Sequence, residues 1–186
     1  MTCIAGLVDS NGDIYIGGDS AGVAGYDLTI RADEKVFKKD DMIFGFTSSF
    51  RMGQIIRYCF DIPYHVSKKN DFEYLCTDFI RELRECLKRE GYARVKDNQV
   101  IGGVFLLGYK GSIYKIEGDF QVGKSKRRFD ACGCGASYAL GAMHVLVKEG
   151  ELSSLDIIRK SLCVAESFSA GVSAPFVVEK LECVRD

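Results

Sequence analysis

The chain has 186 residues, 47% of them hydrophobic, with 20 Gly, 2 Pro, 8 Cys and no Trp. That length buries one full core and leaves little room for a second, so a single domain over residues 1–186 is expected. With 25 basic against 26 acidic side chains and a net charge of -1, the balance excludes the cationic footprint of a nucleic-acid or anionic-membrane binder.

The chain opens Met1-Thr2-Cys3-Ile4-Ala5-Gly6-Leu7, with no basic leader and no run approaching the roughly 18 apolar residues of a membrane span. A soluble, cytoplasmic protein is expected. Strand-like runs at 3–8 and 13–18 flank Asp9-Ser10-Asn11-Gly12, a hairpin turn composition. Runs at 35–38 and 42–46 make a second hairpin around Lys39-Asp40-Asp41. Two amphipathic helices follow, 49–60 with Met52, Ile55, Ile56, Cys59 and Phe60 on one stripe, and 71–89 with Leu75, Phe79, Ile80, Leu83 and Leu87. A strand over 100–109, a Lys110-Gly111 turn, and strands at 112–116 and 129–132 come next, then helices at 136–148 and 153–168 and a last strand at 175–181. Grouped strands followed by grouped helices predict an α+β fold with antiparallel sheets.

The eight cysteines, at 3, 59, 76, 86, 132, 134, 163 and 183, show no disulfide framework, and most sit in apolar stretches, as in a reducing compartment. Cys132 and Cys134 form a C-x-C with no second pair and no neighbouring His, so no metal is expected, and no cofactor. His65 and His144 have no catalytic neighbours in the sequence. Gly118-Asp119-Phe120-Gln121-Val122-Gly123-Lys124-Ser125 matches the phosphate-cradling G-x-x-x-x-G-K-[ST] string. That loop works only when a helix follows at once, presenting its N-terminal amides. Here Lys126-Arg127-Arg128-Phe129-Asp130 leads into Cys132-Gly133-Cys134-Gly135, which predicts a strand connection and leaves an ATPase a distant third reading.

Thr2 carries the chemistry. Removal of Met1 would place a hydroxyl and a free α-amine on one residue, and such an amine titrates near roughly 7.7–8.0, within reach of a neutral-pH general base. Asp19 ends the second strand and Lys35 opens the third. An ammonium near the amine would keep it unprotonated, and a carboxylate would fix that ammonium.

In this order the chain resembles proteasome β subunits and the related bacterial double-ring threonine proteases, within the N-terminal nucleophile hydrolases. The resemblance runs through Thr2 before a strand, Gly17-Gly18-Asp19-Ser20, Glu34-Lys35-Val36, Phe44-Gly45-Phe46-Thr47-Ser48-Ser49, Gly133-Cys134-Gly135 and Glu166-Ser167-Phe168-Ser169-Ala170-Gly171. It implies a four-layer αββα sandwich, with two antiparallel sheets face to face and helix pairs outside. It implies that Thr2 is the nucleophile with its own amine as base, that Lys35 tunes the amine and that Asp19 orients Lys35. The oxyanion donor would be the main-chain N–H of Ser48 or Ser49, Ser48 being preferred. Three departures stand out: Cys134 replaces a serine of the family's Gly-Ser-Gly turn, Glu166 replaces an aspartate, and the family's glycine-rich turn is Ser48-Ser49 here; Ser169 is retained.

The resemblance further implies an extended polypeptide substrate near Ser20, Val23, Phe46, Thr47 and Ser49, and a homo-oligomer of one or two stacked rings fed by an ATP-driven unfoldase. Phe46 reads equally as the wall of an apolar specificity pocket and as an ordinary core side chain. The leading expectation is a threonine endopeptidase activated by loss of Met1 alone. A catalytically silent ring protein and a non-proteolytic amidase of the same superfamily are the alternatives.

Overall fold

A computed structural model of the protein describes residues 1–92, 94–96 and 99–183. Its strands form two main antiparallel sheets. The first has four strands in the order β12 (Phe129–Gly133), β1 (Cys3–Val8), β2 (Ile14–Gly18), β13 (Val177–Leu181). The second has five, in the order β11 (Val122–Lys124), β10 (Ser112–Ile116), β9 (Phe105–Tyr109), β6 (Met42–Phe46), β5 (Val36–Lys39). Hairpins β3–β4 (Ala21–Ala24, Asp27–Ile30) and β7–β8 (Arg94–Lys96, Gln99–Ile101) stand apart from both sheets.

Strand periodicity sorts the apolar side chains into three clusters. Along β1, Cys3, Ala5 and Leu7 face helices α4 (Ala136–Glu149) and α5 (Ser154–Phe168), joining Ala139, Met143, Ile158 and Leu162. Ile4 and Val8 face the other way, meeting Ile14, Ile16, Val36, Ile43, Leu106 and Ile113. Along β6, Met42, Phe44 and Phe46 join Met52, Ile55, Leu75, Phe79 and Leu83 of the remaining helices. Those helices are α1 (Phe50–Tyr58) and a rod made of α2 (Asp71–Tyr74), a π-helical turn (Leu75–Phe79) and α3 (Ile80–Arg89). The sheets approach closely because glycine faces the shared cluster: a Cβ on Gly45 would stand 2.5 Å from Ile4 Cγ2, and one on Gly108 would stand 2.7 Å from Ile14 Cγ2.

The strand expected over 100–109 is two pieces. Gly102, Gly103 and Val104 separate β8 from β9, and Gly103 lies where a Cβ would meet Met52 Sδ at 2.6 Å and Ser48 Cβ at 3.1 Å. Val100 belongs to β8, its side chain outside the described residues. After β2, Ala21 opens β3 directly, paired with Ile30. The last strand begins at Val177 rather than at 175. The phosphate-loop string runs through a turn into edge strand β11, and β12 follows it, where that chemistry requires a helix. Among the described residues no helix is long and apolar enough to cross a membrane.

Candidate active site

Thr2 precedes β1, which lies between β2 and β12, so the sheet register decides what surrounds it. Ile4 pairs with Gly18, which brings Asp19 beside Cys3, and Cys3 pairs with Gly133, which brings the Cys134 turn to the other side. Asp19 is held from two directions: Oδ1 accepts from Cys3 N–H at 2.9 Å and Oδ2 from Ala21 N–H at 2.9 Å. Its carboxylate then receives Lys35 Nζ at 3.0 Å.

Lys35 has three ammonium protons and three kinds of acceptor. Besides Asp19 it donates to Ala21 O at 2.7 Å and to Thr2 Oγ1 at 2.9 Å. Lys35 and Asp19 are each only 2% exposed. Burial pushes the Lys35 ammonium below its ordinary value of 10.5, and the Asp19 charge works against that shift. The neighbouring Cys3 thiol is pushed up to about 12, chiefly by burial and then by the Asp19 charge, so it remains an inert core thiol. Removing either ion partner would strand a buried charge, at a cost of about 3–5 kcal/mol.

On the opposite side the contacts run through sulfur. Thr2 N–H donates to Cys134 Sγ at 3.2 Å, Cys134 Sγ lies 3.4 Å from Thr2 O, and Ser169 Oγ donates to Cys134 Sγ at 3.2 Å. Gly133 has φ +98, and a Cβ there would stand 2.2 Å from Thr2 O, so no other residue fits where β12 passes Thr2. Thr2 Oγ1 donates to Met1 O. Glu166 is not drawn into this cluster: its Oε1 accepts from Ala174 N–H at 2.7 Å, tying α5 to the segment before β13.

The turn before α1 separates the two candidate oxyanion donors. Ser49 N–H is committed to Thr47 O at 2.8 Å, and Ser49 Oγ caps the helix by accepting from Arg51 N–H at 3.1 Å. Among the described residues no acceptor meets Ser48 N–H. Ser48 has φ +70, a conformation that costs a non-glycine residue about 1–2 kcal/mol. Its Oγ accepts from Val104 N–H at 3.1 Å, which helps hold the turn.

A cleft of about 260 Å³ opens beside Thr2, bordered by β3, by Thr47-Ser48-Ser49 and by Phe50. Val23, Phe46, Thr47 and Ser49 line it. Ser20 does not: its Oγ donates to Pro175 O at 2.7 Å and its N–H to Ser173 O at 2.9 Å, so it fastens β3 to the C-terminal segment. Phe46 serves both roles, edging the cleft while its ring packs on Phe50 at 5.7 Å within the core. Arg31 and Phe50 were not foreseen. The Arg31 guanidinium stacks 4.1 Å above the Phe50 ring and grips Asp33 through Nε at 2.6 Å. No motif announces an isolated arginine on a loop, whereas Phe50, one residue past Ser49, lay within reach of the turn already singled out. His65 is structural, bonded to Tyr109 OH and Lys69 O at 2.8 Å each and stacked on Tyr74. No cluster suited to a metal ion occurs among the described residues.

No family model matches the sequence, and no curated protein does. Solved structures do. Thiobacillus denitrificans BPH matches with a TM-score of 0.82 at 22% identity, over 98% of this chain and 100% of its own. The same protein in complex with epoxomicin gives 0.79 at 20%, with equal coverage. The chain has the BPH fold. Eukaryotic HslV from Trypanosoma brucei matches with a TM-score of 0.70 at 16% identity, over 97% of this chain and 99% of that one. The likeness to both runs through nearly the whole chain.

Proposed function

We propose that the protein is an N-terminal threonine hydrolase, an endopeptidase that becomes active when Met1 is removed. The observation that carries this reading is Lys35 Nζ, held by buried Asp19, 2.9 Å from Thr2 Oγ1. The three clusters between and outside the sheets support an αββα sandwich as the frame. In the reaction, the Lys35 ammonium favours negative charge on Thr2 Oγ1 while the free Thr2 amine takes the hydroxyl proton. Oγ1 attacks the peptide carbonyl, and Ser48 N–H receives the oxyanion. The amine returns its proton to the leaving nitrogen, and the same amine then draws a proton from the water that hydrolyses the Thr2 ester. Cys134 and Ser169 position the amine, and Glu166 supports them indirectly by anchoring the following segment.

The substrate is an extended polypeptide lying in the cleft along β3. Two separate apolar surfaces support a homo-oligomer, ring-shaped by the resemblance: Tyr26, Leu28 and Ile30 on the β3–β4 hairpin, and Tyr138 of α4 stacked on Phe168 of α5. An unfoldase partner and a cytoplasmic setting complete the reading. Thr2→Ala and Lys35→Ala should each abolish hydrolysis of fluorogenic peptides by Met1-free protein with assembly intact; full turnover in either variant overturns the proposal.

One observation favours a catalytically silent relative. With Met1 attached, Thr2 N is a peptide nitrogen donating to Cys134 Sγ, and the site has no amine base. The intact mass of the natively produced protein separates the two: loss of Met1 fits the enzyme, retention fits the silent form.

A further inference from the structure

The basic run that follows the rejected phosphate-loop string has no part in the site above. Lys124, Lys126, Arg127 and Arg128 border a groove of about 450 Å³, together with the β1–β2 turn at Asp9-Ser10-Asn11-Gly12 and the β9–β10 turn at Gly111-Ser112. None of these four cations makes an ion pair among the described residues. Lys124 and Arg127 rest over the Tyr114 and Phe129 rings at 5.3 and 5.9 Å, and Arg128 reaches only the Asp9 carbonyl at 3.4 Å. Among the described residues that border the groove Asp9 is the single carboxylate, and its Oδ1 accepts from the N–H groups of Asn11 and Asp13. Among the described residues, four cations therefore border the groove with one carboxylate, in a chain whose net charge is -1.

We infer that this groove is a docking site for an acidic polypeptide segment. Charge complementarity selects the sign of the partner. Its class follows from what the groove lacks. The two aromatic rings near it are buried, Tyr114 at 1% and Phe129 at 5% exposure, so neither offers a free face for base stacking. Beside it, β11 is the outermost strand of its sheet, which leaves main-chain groups free to pair with an extended segment. The groove adjoins the Val8 end of β1 and Thr2 the other end. Six residues of strand put them about 20 Å apart, so an occupant leaves the cleft open.

The test is fluorescence anisotropy of a labelled twelve-residue glutamate-rich peptide on the full chain, against a neutral Gly-Ser peptide and a twelve-nucleotide single-stranded DNA. The glutamate peptide should bind, the neutral one should not, and affinity should fall with salt. Lys126→Glu/Arg127→Glu/Arg128→Glu should weaken binding at least about tenfold, whereas Lys68→Glu/Arg159→Glu/Lys160→Glu, the same change in charge on other surfaces, should leave it within about twofold. Hydrogen exchange of the unmutated chain with peptide bound should show protection at residues 8–12 and 124–128. Equal loss in both triple variants, protection elsewhere, tighter binding of the DNA, or no binding of the glutamate peptide would each overturn the inference.

Discussion

Thr2 sits between two polar regions built on different physical terms. On the β2 side, Asp19 and Lys35 are buried, charged and joined by bonds of 2.7 to 3.0 Å that use every ammonium proton. On the β12 side, the exposed Cys134 makes neutral contacts of 3.2 to 3.4 Å through a soft sulfur, and Ser169 meets it from a loop. Sulfur is the weaker partner in hydrogen bonds, and nothing there is a charge that water must be kept from. The first region fixes the electrostatics of the Thr2 hydroxyl, and a change in it has nowhere to be absorbed. The second meets the Thr2 nitrogen through neutral contacts, and it holds Cys134 where the family that the chain resembles has serine.

Mutation should separate the two regions. The largest effect is expected for Lys35→Ala, a fall in kcat/KM of about a thousandfold or more on fluorogenic peptides, since it removes the cation that faces Oγ1. Asp19→Ala strands the buried ammonium and should cost about 3–5 kcal/mol in urea unfolding, besides abolishing turnover. Cys134→Ser should keep kcat/KM within about tenfold of the parent; a collapse like that of Lys35→Ala would erase the distinction. Ser48→Gly relieves the positive φ and loses the bond from Val104, two terms of about 1 kcal/mol and opposite sign, so stability and activity should both change little.

The pH profile sharpens the same contrast. Turnover should rise as the Thr2 amine loses its proton, near roughly 7.7–8.0 for an ordinary α-amine. It should fall again as Lys35 loses its charge. Because burial holds Lys35 below its ordinary 10.5, that falling limb should lie below 10.5 as well. Asp19→Asn removes the charge that opposes this shift, so its residual activity should decline at lower pH than the parent.

The β2 side was legible in the sequence because Thr2, Asp19 and Lys35 stand at the ends of short strands, where a fixed register turns linear spacing into proximity. The turn Gly133-Cys134-Gly135 was legible only through its resemblance to the family's Gly-Ser-Gly turn. What escaped notice carries no periodic signal. Strand β4 has every side chain exposed, so the alternation that marks a half-buried strand is missing. Arg31 reaches the cleft from a loop by stacking on Phe50, a contact between residues 19 positions apart that composition does not encode. Glu166 was placed in the site by its neighbours in sequence, yet its carboxylate is taken by Ala174 N–H. The choice between Ser48 and Ser49 required knowing which amide was already bonded.

On the reading proposed above, the geometry around Lys35 makes Thr2 a nucleophile once Met1 is gone. The most direct measurement is mass spectrometry of Met1-free protein treated with epoxomicin, the ligand present in one of the matching BPH structures. A single adduct mapping to the N-terminal peptide, absent in Thr2→Ala and in Lys35→Ala, is the predicted result. An unmodified chain, or an adduct that persists in Thr2→Ala, would contradict it.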